Sequence, residues 1–223
     1  MPRLKNFVSS ILLAFGYSIN SKSKKKLLGD LIRLLEGVGL SPVEARKIYK
    51  SSKSQLGQDL LALIASGAKK SGFFVEFGSA DGVALSNSYL LEKEMGWWGI
   101  LCEPSRSWHE DLKRNRSCIV DTRCVYSRTG EQISFSENYI GELSGITEFT
   151  GDDHHGILDR TTTSYQVETI SLLDLLKSHN APMHIEFLSV DTEGSEFEIL
   201  NAFDFSKHTF GAICVEHNYL ENR

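Results

Sequence analysis

Two hydrophobic rhythms divide the chain. From Lys24 to Leu40, apolar residues recur at Leu27, Leu28, Leu31, Leu34, Leu35 and Val38, which lie on one face of a helix. Ser41-Pro42-Val43-Glu44 has the form of a capping box with proline in the first turn, so a second helix is expected to start there and end near Lys50. Ser51 to Ser54 reads as a short linker, and Gln55 to Ser66 as a third helix stopped by Gly67. From Gly72 onward the rhythm changes. Short runs of β-formers, at 73–77, 99–103, 117–126, 184–190 and 209–215, alternate with helical patterns at 82–95, 107–116, 171–176 and 195–202. Alternation of this kind specifies an α/β domain with a parallel sheet. Gly130–Ser136 reads as an extra hairpin strand, and order is expected again at Tyr165–Ile170. Asn138 to Thr163 is polar, glycine-bearing and irregular, and loops of that length inside a compact domain usually carry function or are disordered.

Composition narrows the picture. With 223 residues, 41% of them hydrophobic, the chain can bury one sizeable core plus a helical extension. We read residues 1–54 as that extension and 55–223 as the main domain. A net charge of -5 argues against a general nucleic-acid binder. The four cysteines show no paired metal spacing and sit in apolar runs, as reduced thiols do in a cytoplasmic protein. Phe7–Ile19 is a 13-residue apolar-rich run behind Arg3 and Lys5. It falls short of the ~20 residues of a spanning helix. It reads either as a packed terminal helix or as one lying on an anionic membrane surface, with the lysines at 22 and 24–26 as electrostatic partners.

The candidate chemistry lies at strand ends. Phe73–Phe77 runs into Gly78-Ser79-Ala80-Asp81-Gly82, a glycine turn that lets bare backbone N–H groups approach a ligand. The spacing is not G-x-G-x-x-G, which argues against an NAD-type oxidoreductase. Glu76 would repel a pyrophosphate but suits a ligand bearing an ammonium or hydroxyl donors, which points to S-adenosylmethionine. Acids end four strands: Glu76, Glu103, Asp191 and Glu216. In an open parallel sheet ligands bind beyond those ends. Glu103 is placed to accept both ribose hydroxyls of a nucleoside. Asp121 or Thr122, near the end of the third strand, is the candidate for the adenine amino group. Tyr89, Trp97, Trp98 and Trp108 offer sugar-stacking faces, though aromatics more often serve packing.

The stretches Gln58-Asp59, Phe74–Gly82, Ser86-Asn87, Glu103-Pro104, Leu188–Glu196 and Val215–Asn218 resemble the FkbM-type methyltransferases. The Asp191-Thr192-Glu193-Gly194-Ser195-Glu196 block is the most family-specific part. The resemblance implies a class I Rossmann-like methyltransferase sheet with helices on both faces. It also implies S-adenosylmethionine as cofactor and O-methylation of a saccharide or secondary metabolite. Carried over by motif, Glu76, Gly78, Ala80, Asp81 and Gly82 shape the pocket for the methionine end, assisted by Ser86 and Asn87 in the first turns of the next helix. Asp191 then faces the transferring methyl, with Glu193 and His217 as further catalytic candidates, and His154 and His155 in the long loop.

Methyl transfer to a hydroxyl needs alignment plus a base or a metal. Asp191, Glu216 and Asn218, on two adjacent strand ends, form a candidate Mg²⁺ set. A methyltransferase sheet of this class carries two more strands after 209–215, an antiparallel pair missing here, so an open sheet edge is expected. The competing reading is a non-catalytic binding module that keeps the fold.

Overall fold

A computed structural model describes residues 21–138, 144–149 and 162–216. Three helices come first: α1 (Ser21–Gly37), α2 (Pro42–Ser51) and α3 (Gln58–Ala65). The capping box forms as the sequence predicts. Glu44 N–H donates to Ser41 Oγ (3.3 Å), and Ser41 N–H donates to Glu44 Oε2 (2.9 Å). The third helix starts three residues later than expected because Gly57 takes a left-handed conformation immediately before it.

The main sheet has five parallel strands: β1 (Phe73–Phe77), β2 (Trp98–Cys102), β3 (Ile119–Asp121), β8 (His184–Val190) and β9 (Thr209–Val215). Their spatial order is β3-β2-β1-β8-β9. The chain moves outward from β1 to β3, then returns to lie on the other side of β1. This reversal opens a crevice at the carboxyl ends of β1 and β8, where ligands bind in such sheets. Register pairs Glu76 with Ser189, which brings the glycine turn beside Asp191.

Helices cover both faces. On one, Leu31, Leu35, Ala45, Ile48, Leu60 and Leu63 from the first three helices join Phe74, Leu101 and Phe187 of the sheet in a single apolar cluster. The helices α4 (Tyr89–Met95) and α5 (His109–Asn115) complete this side. The N-terminal helices therefore share one core with the sheet, and no break in packing marks residue 54. On the other face, α6 (Leu172–Ser178) and α7 (Glu196–Asn201) pack Leu172, Leu175, Leu176 and Ile199 against Val75, Ile100, Leu188 and Val190.

A second sheet was legible only in part. The stretch 117–126 splits: after β3, the Asp121 carboxylate accepts from Arg123 N–H (3.0 Å) and turns the chain out of the main sheet. Cys124–Tyr126 becomes β4, which pairs in parallel with β7 (Thr163–Ser171). The expected hairpin strand is β5 (Gln132–Glu137), antiparallel to β7 and to a short β6 (Gly145–Ile146) inside the region expected to be irregular.

A helix was expected from Gly82, yet α4 begins only at Tyr89. Residues 83–88 stay irregular because their polar groups turn inward: Ser86 and Ser88 hydroxyls and Asn87 N–H all donate to the Glu76 carboxylate. Residues 217–223 lie outside the described residues, and β9 is the edge of the five-stranded sheet. Among the described residues no helix is long and apolar enough to cross a membrane. The membrane reading of Phe7–Ile19 falls outside them.

Candidate functional site

The glycine turn is shaped by close backbone approach. Gly78 has φ +70°, and a Cβ there would stand 2.0 Å from the backbone oxygen of Asp191. No side chain fits that gap, so the turn and the end of β8 lie against each other only because residue 78 is glycine. Asp81 Oδ1 accepts from Val83 and Ala84 N–H (2.8 Å each) and closes the loop on itself. Ala80 and Leu85 adopt positive φ without being glycine, a strain that folds concentrate at functional sites.

Glu103, at the end of β2, is buried and reaches across to this turn. Its Oε2 accepts from Ala80 N–H (2.8 Å) and its Oε1 from Ser105 N–H (2.9 Å). Burial pushes its pKa up to about 7 despite those two donors, and Glu137 and Glu76 nearby add to the rise. The acid expected to meet ribose hydroxyls is thus at the crevice, next to the glycine turn.

Glu76 stands near the end of β1, beside the glycine turn. The resemblance gives it a role at the methionine end; in the structure it is buried and accepts three hydrogen bonds from the following loop. Ser86 and Ser88 hydroxyls donate to Oε2, and Asn87 N–H donates to Oε1 at 2.7 Å. Burial raises its pKa, and the Arg116 guanidinium opposes the rise. Its work is to hold the loop that carries Ser86 and Asn87.

Arg116 is a residue that sequence reasoning missed. It is buried and donates to Glu92 (2.7 Å), to the Gly82 carbonyl (3.0 Å) and to the hydroxyls of Ser86 (3.1 Å) and Ser88 (2.9 Å). Gly82 leaves room for it: a Cβ there would stand 2.7 Å from Arg116 Cγ. The partner Glu92 is held at about 2, because hydrogen bonds from Lys93, Ser117 and Arg116 outweigh its burial.

Asp121 is the sequence's candidate for the adenine amino group. It ends β3 as expected, but its carboxylate is taken by Arg123 (3.0 and 2.6 Å) and by His179 Nε2 (2.8 Å). Burial opposes ionisation there, yet the Arg123 and His179 hydrogen bonds hold the pKa below its ordinary value. Thr122, the other candidate for the adenine amine, is exposed beside it.

At the other wall, Asp191 ends β8 and Glu216 follows β9. One oxygen each from Asp191, Glu193 and Glu216 lies within 4.8 Å of the others. Burial, a hydrogen bond with Glu216 and that acid's charge push the Asp191 pKa well up. Oε2 of Glu216 is buried without a hydrogen-bond partner. The turn that follows is set by Glu196, whose Oε1 accepts from Thr192 N–H (2.8 Å) and Gly194 N–H (3.0 Å). This leaves Glu193 at the rim with φ +55°. The structure thus brings Asp191 and Glu216 together, as the sequence expects, and adds Glu193 to them. His217, Asn218, His154 and His155 lie outside the described residues. Of the aromatics, Trp97 is buried with its indole N–H on the Lys69 carbonyl, so it serves packing.

A glycine turn, a buried acid at the next strand end and the acid-rich turn after β8 all meet at one crevice. The family model for the methyltransferase FkbM domain matches residues 76–223, the part of the chain that contains all three. The chain belongs to the FkbM methyltransferase family. No curated protein and no solved structure matches it. The FkbM match begins inside β1, so the first three helices and the segment between them precede it. Methyl transfer is the chemistry that membership of this family points to.

Proposed function

We propose that the protein transfers a methyl group from S-adenosylmethionine to a hydroxyl of a saccharide or secondary metabolite, on a class I Rossmann-like sheet. The observation that carries this reading is the approach of Glu103 to Ala80 N–H across the glycine turn, with Asp191 against Gly78 on the other side. The donor set fits the cofactor. The crevice presents carboxylates, which complement hydroxyl and ammonium donors and repel phosphate. Strand order β3-β2-β1-β8-β9 supports the class I assignment.

When bound, the cofactor supplies an electrophilic methyl on a positive sulfonium. The chain's own residues do the rest. Glu103 exchanges the Ala80 N–H for ribose hydroxyls. Gly78 and Gly82 keep the turn open, and Ser86, Asn87 and Arg116 hold its far limb. The acceptor hydroxyl must lose a proton as its oxygen forms the new bond. Asp191, with its raised pKa and Glu216 beside it, is placed to take that proton.

The grouping of Asp191, Glu193 and Glu216 favours a second reading of the same wall, in which these acids would hold Mg²⁺ and the ion would supply Lewis acidity toward the acceptor hydroxyl. Incubation with methyl-labelled S-adenosylmethionine and a panel of saccharides and small hydroxylated metabolites tests the function. Label recovered in an ether linkage supports the reading, and label in no product across the panel contradicts it. Repeating the assay in EDTA separates the base from the metal: undiminished transfer removes the Mg²⁺ reading.

A further inference from the structure

The charges of the chain are segregated. Residues 21–70 carry 11 lysines and arginines against 4 aspartates and glutamates, a net charge of +7. Residues 71–223 carry 11 against 25, a net charge of -14. The overall -5 is therefore the sum of a basic helical layer and an acidic body. The basic layer lies before the family-matched region and takes no part in the chemistry above.

On α2, Val43, Arg46, Lys47 and Lys50 fall at i, i+3, i+4 and i+7, which is one face of a helix. All four are exposed, Val43 at 79%, while Ala45 and Ile48 of the same helix are buried in the apolar cluster shared with α1. Lys53, just past the end of α2, is exposed too. Hydrogen bonds with Ser41 hold the Glu44 carboxyl below its ordinary value and the Lys70 charge adds to this, which places exposed Lys70 near the start of α2. On α1, Lys26 and Arg33 are exposed two turns apart, and the first turns of that helix also contain lysines at 22, 24 and 25. Arg33 pairs with Asp30 (3.2 Å) and Lys47 with Glu94 (3.0 Å). Among the described residues, Lys26, Arg46, Lys50 and Lys53 form no ion pair. Arg46 and Lys50 stand four apart, where like charges repel along a helix. A face that keeps this repulsion and an uncovered valine beside it suits a partner that is anionic outside and apolar beneath.

We propose that the outer face of α2, with the basic residues of α1 and of the turn after α3, docks on a bilayer surface carrying anionic lipid. Each cation near such a surface adds to the attraction. Val43 selects lipid over nucleic acid: an apolar side chain gains by entering the headgroup boundary and gains nothing at a phosphodiester backbone. In the sequence, the apolar-rich run Phe7–Ile19 leads into the same basic stretch. The acidic body is repelled by the surface that attracts the helices, so the two charges together orient the molecule. The helices α1 to α3 cover one face of the sheet, whereas the crevice opens at the carboxyl ends of its strands, so docking leaves the site uncovered. This surface is independent of the methyl-transfer reading.

Co-sedimentation of the full chain with sucrose-loaded vesicles tests this. Vesicles of phosphatidylcholine with about 30% phosphatidylglycerol are expected to bind it at least about tenfold more tightly than phosphatidylcholine alone, and the difference should shrink as salt rises from about 0.05 M to about 0.5 M. Arg46→Gln, Lys50→Gln and Lys53→Gln together should weaken binding to the anionic vesicles about tenfold or more, with the thermal transition unchanged. If that triple variant does not fold, Lys50→Gln with Lys53→Gln is read in the same way, with an expected loss of about threefold or more. Equal binding to the two kinds of vesicle, binding to neither, or undiminished binding by the variant overturns the proposal. A DNA duplex of about 20 base pairs that binds as tightly as the anionic vesicles at the same salt makes the partner a nucleic acid, which also overturns it.

Discussion

Glu103 couples the site to pH in two opposite ways. Its pKa is about 7 when folded and 4.5 as a free side chain. The folded state therefore holds the proton more tightly. This contribution to stability is full below pH 4.5 and is lost as pH rises to 7, by up to roughly 3 kcal/mol. Thermal unfolding across that window should show the loss, and Glu103→Gln should flatten it. Cofactor binding runs the other way, because ribose hydroxyls need the carboxylate as acceptor. Affinity for S-adenosylhomocysteine should rise between pH 6 and pH 8 by up to about tenfold, and the rise should vanish in Glu103→Gln. Asp191 acts on rate instead. Asp191→Asn is expected to slow methyl transfer by roughly 10²- to 10⁴-fold, with S-adenosylhomocysteine affinity nearly unchanged, as measured by single-turnover assay and calorimetry. At this scale the sequence was informative where an acid ends a strand: Glu103, Asp191 and Glu216 stand where the pattern placed them. It carried no sign of the partners that Glu76 and Asp121 take in the fold. Ser86 and Ser88 capture Glu76, and Arg123 and His179 capture Asp121. Spacing along the chain gives no sign of a partner such as His179 that arrives from a distant helix.

Between residues and the whole fold, the decisive element is the loop from Gly78 to Ser88. Its outer limb is held by a buried ion pair, Arg116 with Glu92, and by the hydroxyls that link Arg116 to Glu76. Removing one partner leaves the others buried and uncompensated. Arg116→Met should cost about 3–5 kcal/mol in denaturant unfolding. From Gly82 the sequence reads as the start of a helix, because apolar positions there recur at helical spacing. The side chains instead satisfy the buried carboxylate, and the helix waits until Tyr89. Elements whose signals are local were legible. The capping box set the start of α2, and β-formers between turn residues set β1, β2, β8 and β9. The second sheet was legible only at β5 and β7: β4 pairs with β7 across a long separation, and only the two residues Thr122 and Arg123 divide β3 from β4.

At the scale of the molecule, the N-terminal helices are part of the same body as the sheet. Leu31 and Leu35 of α1 and Ile48 of α2 pack in one cluster with Phe74 and Phe187. Deleting residues 1–54 would expose the outer face of α3 and remove Ser52 and Ser54 from Asp59. The shortened chain is expected to lose its cooperative thermal transition, read by circular dichroism, rather than to behave as an intact domain. The account as a whole stands on one claim, that the crevice between β1 and β8 binds S-adenosylmethionine. Calorimetric titration of the full chain with S-adenosylhomocysteine tests it most directly. The account predicts a Kd on the order of micromolar, weakened about tenfold or more by Glu103→Ala. Absence of binding at ligand concentrations on the order of millimolar, in a chain that unfolds cooperatively, would contradict it.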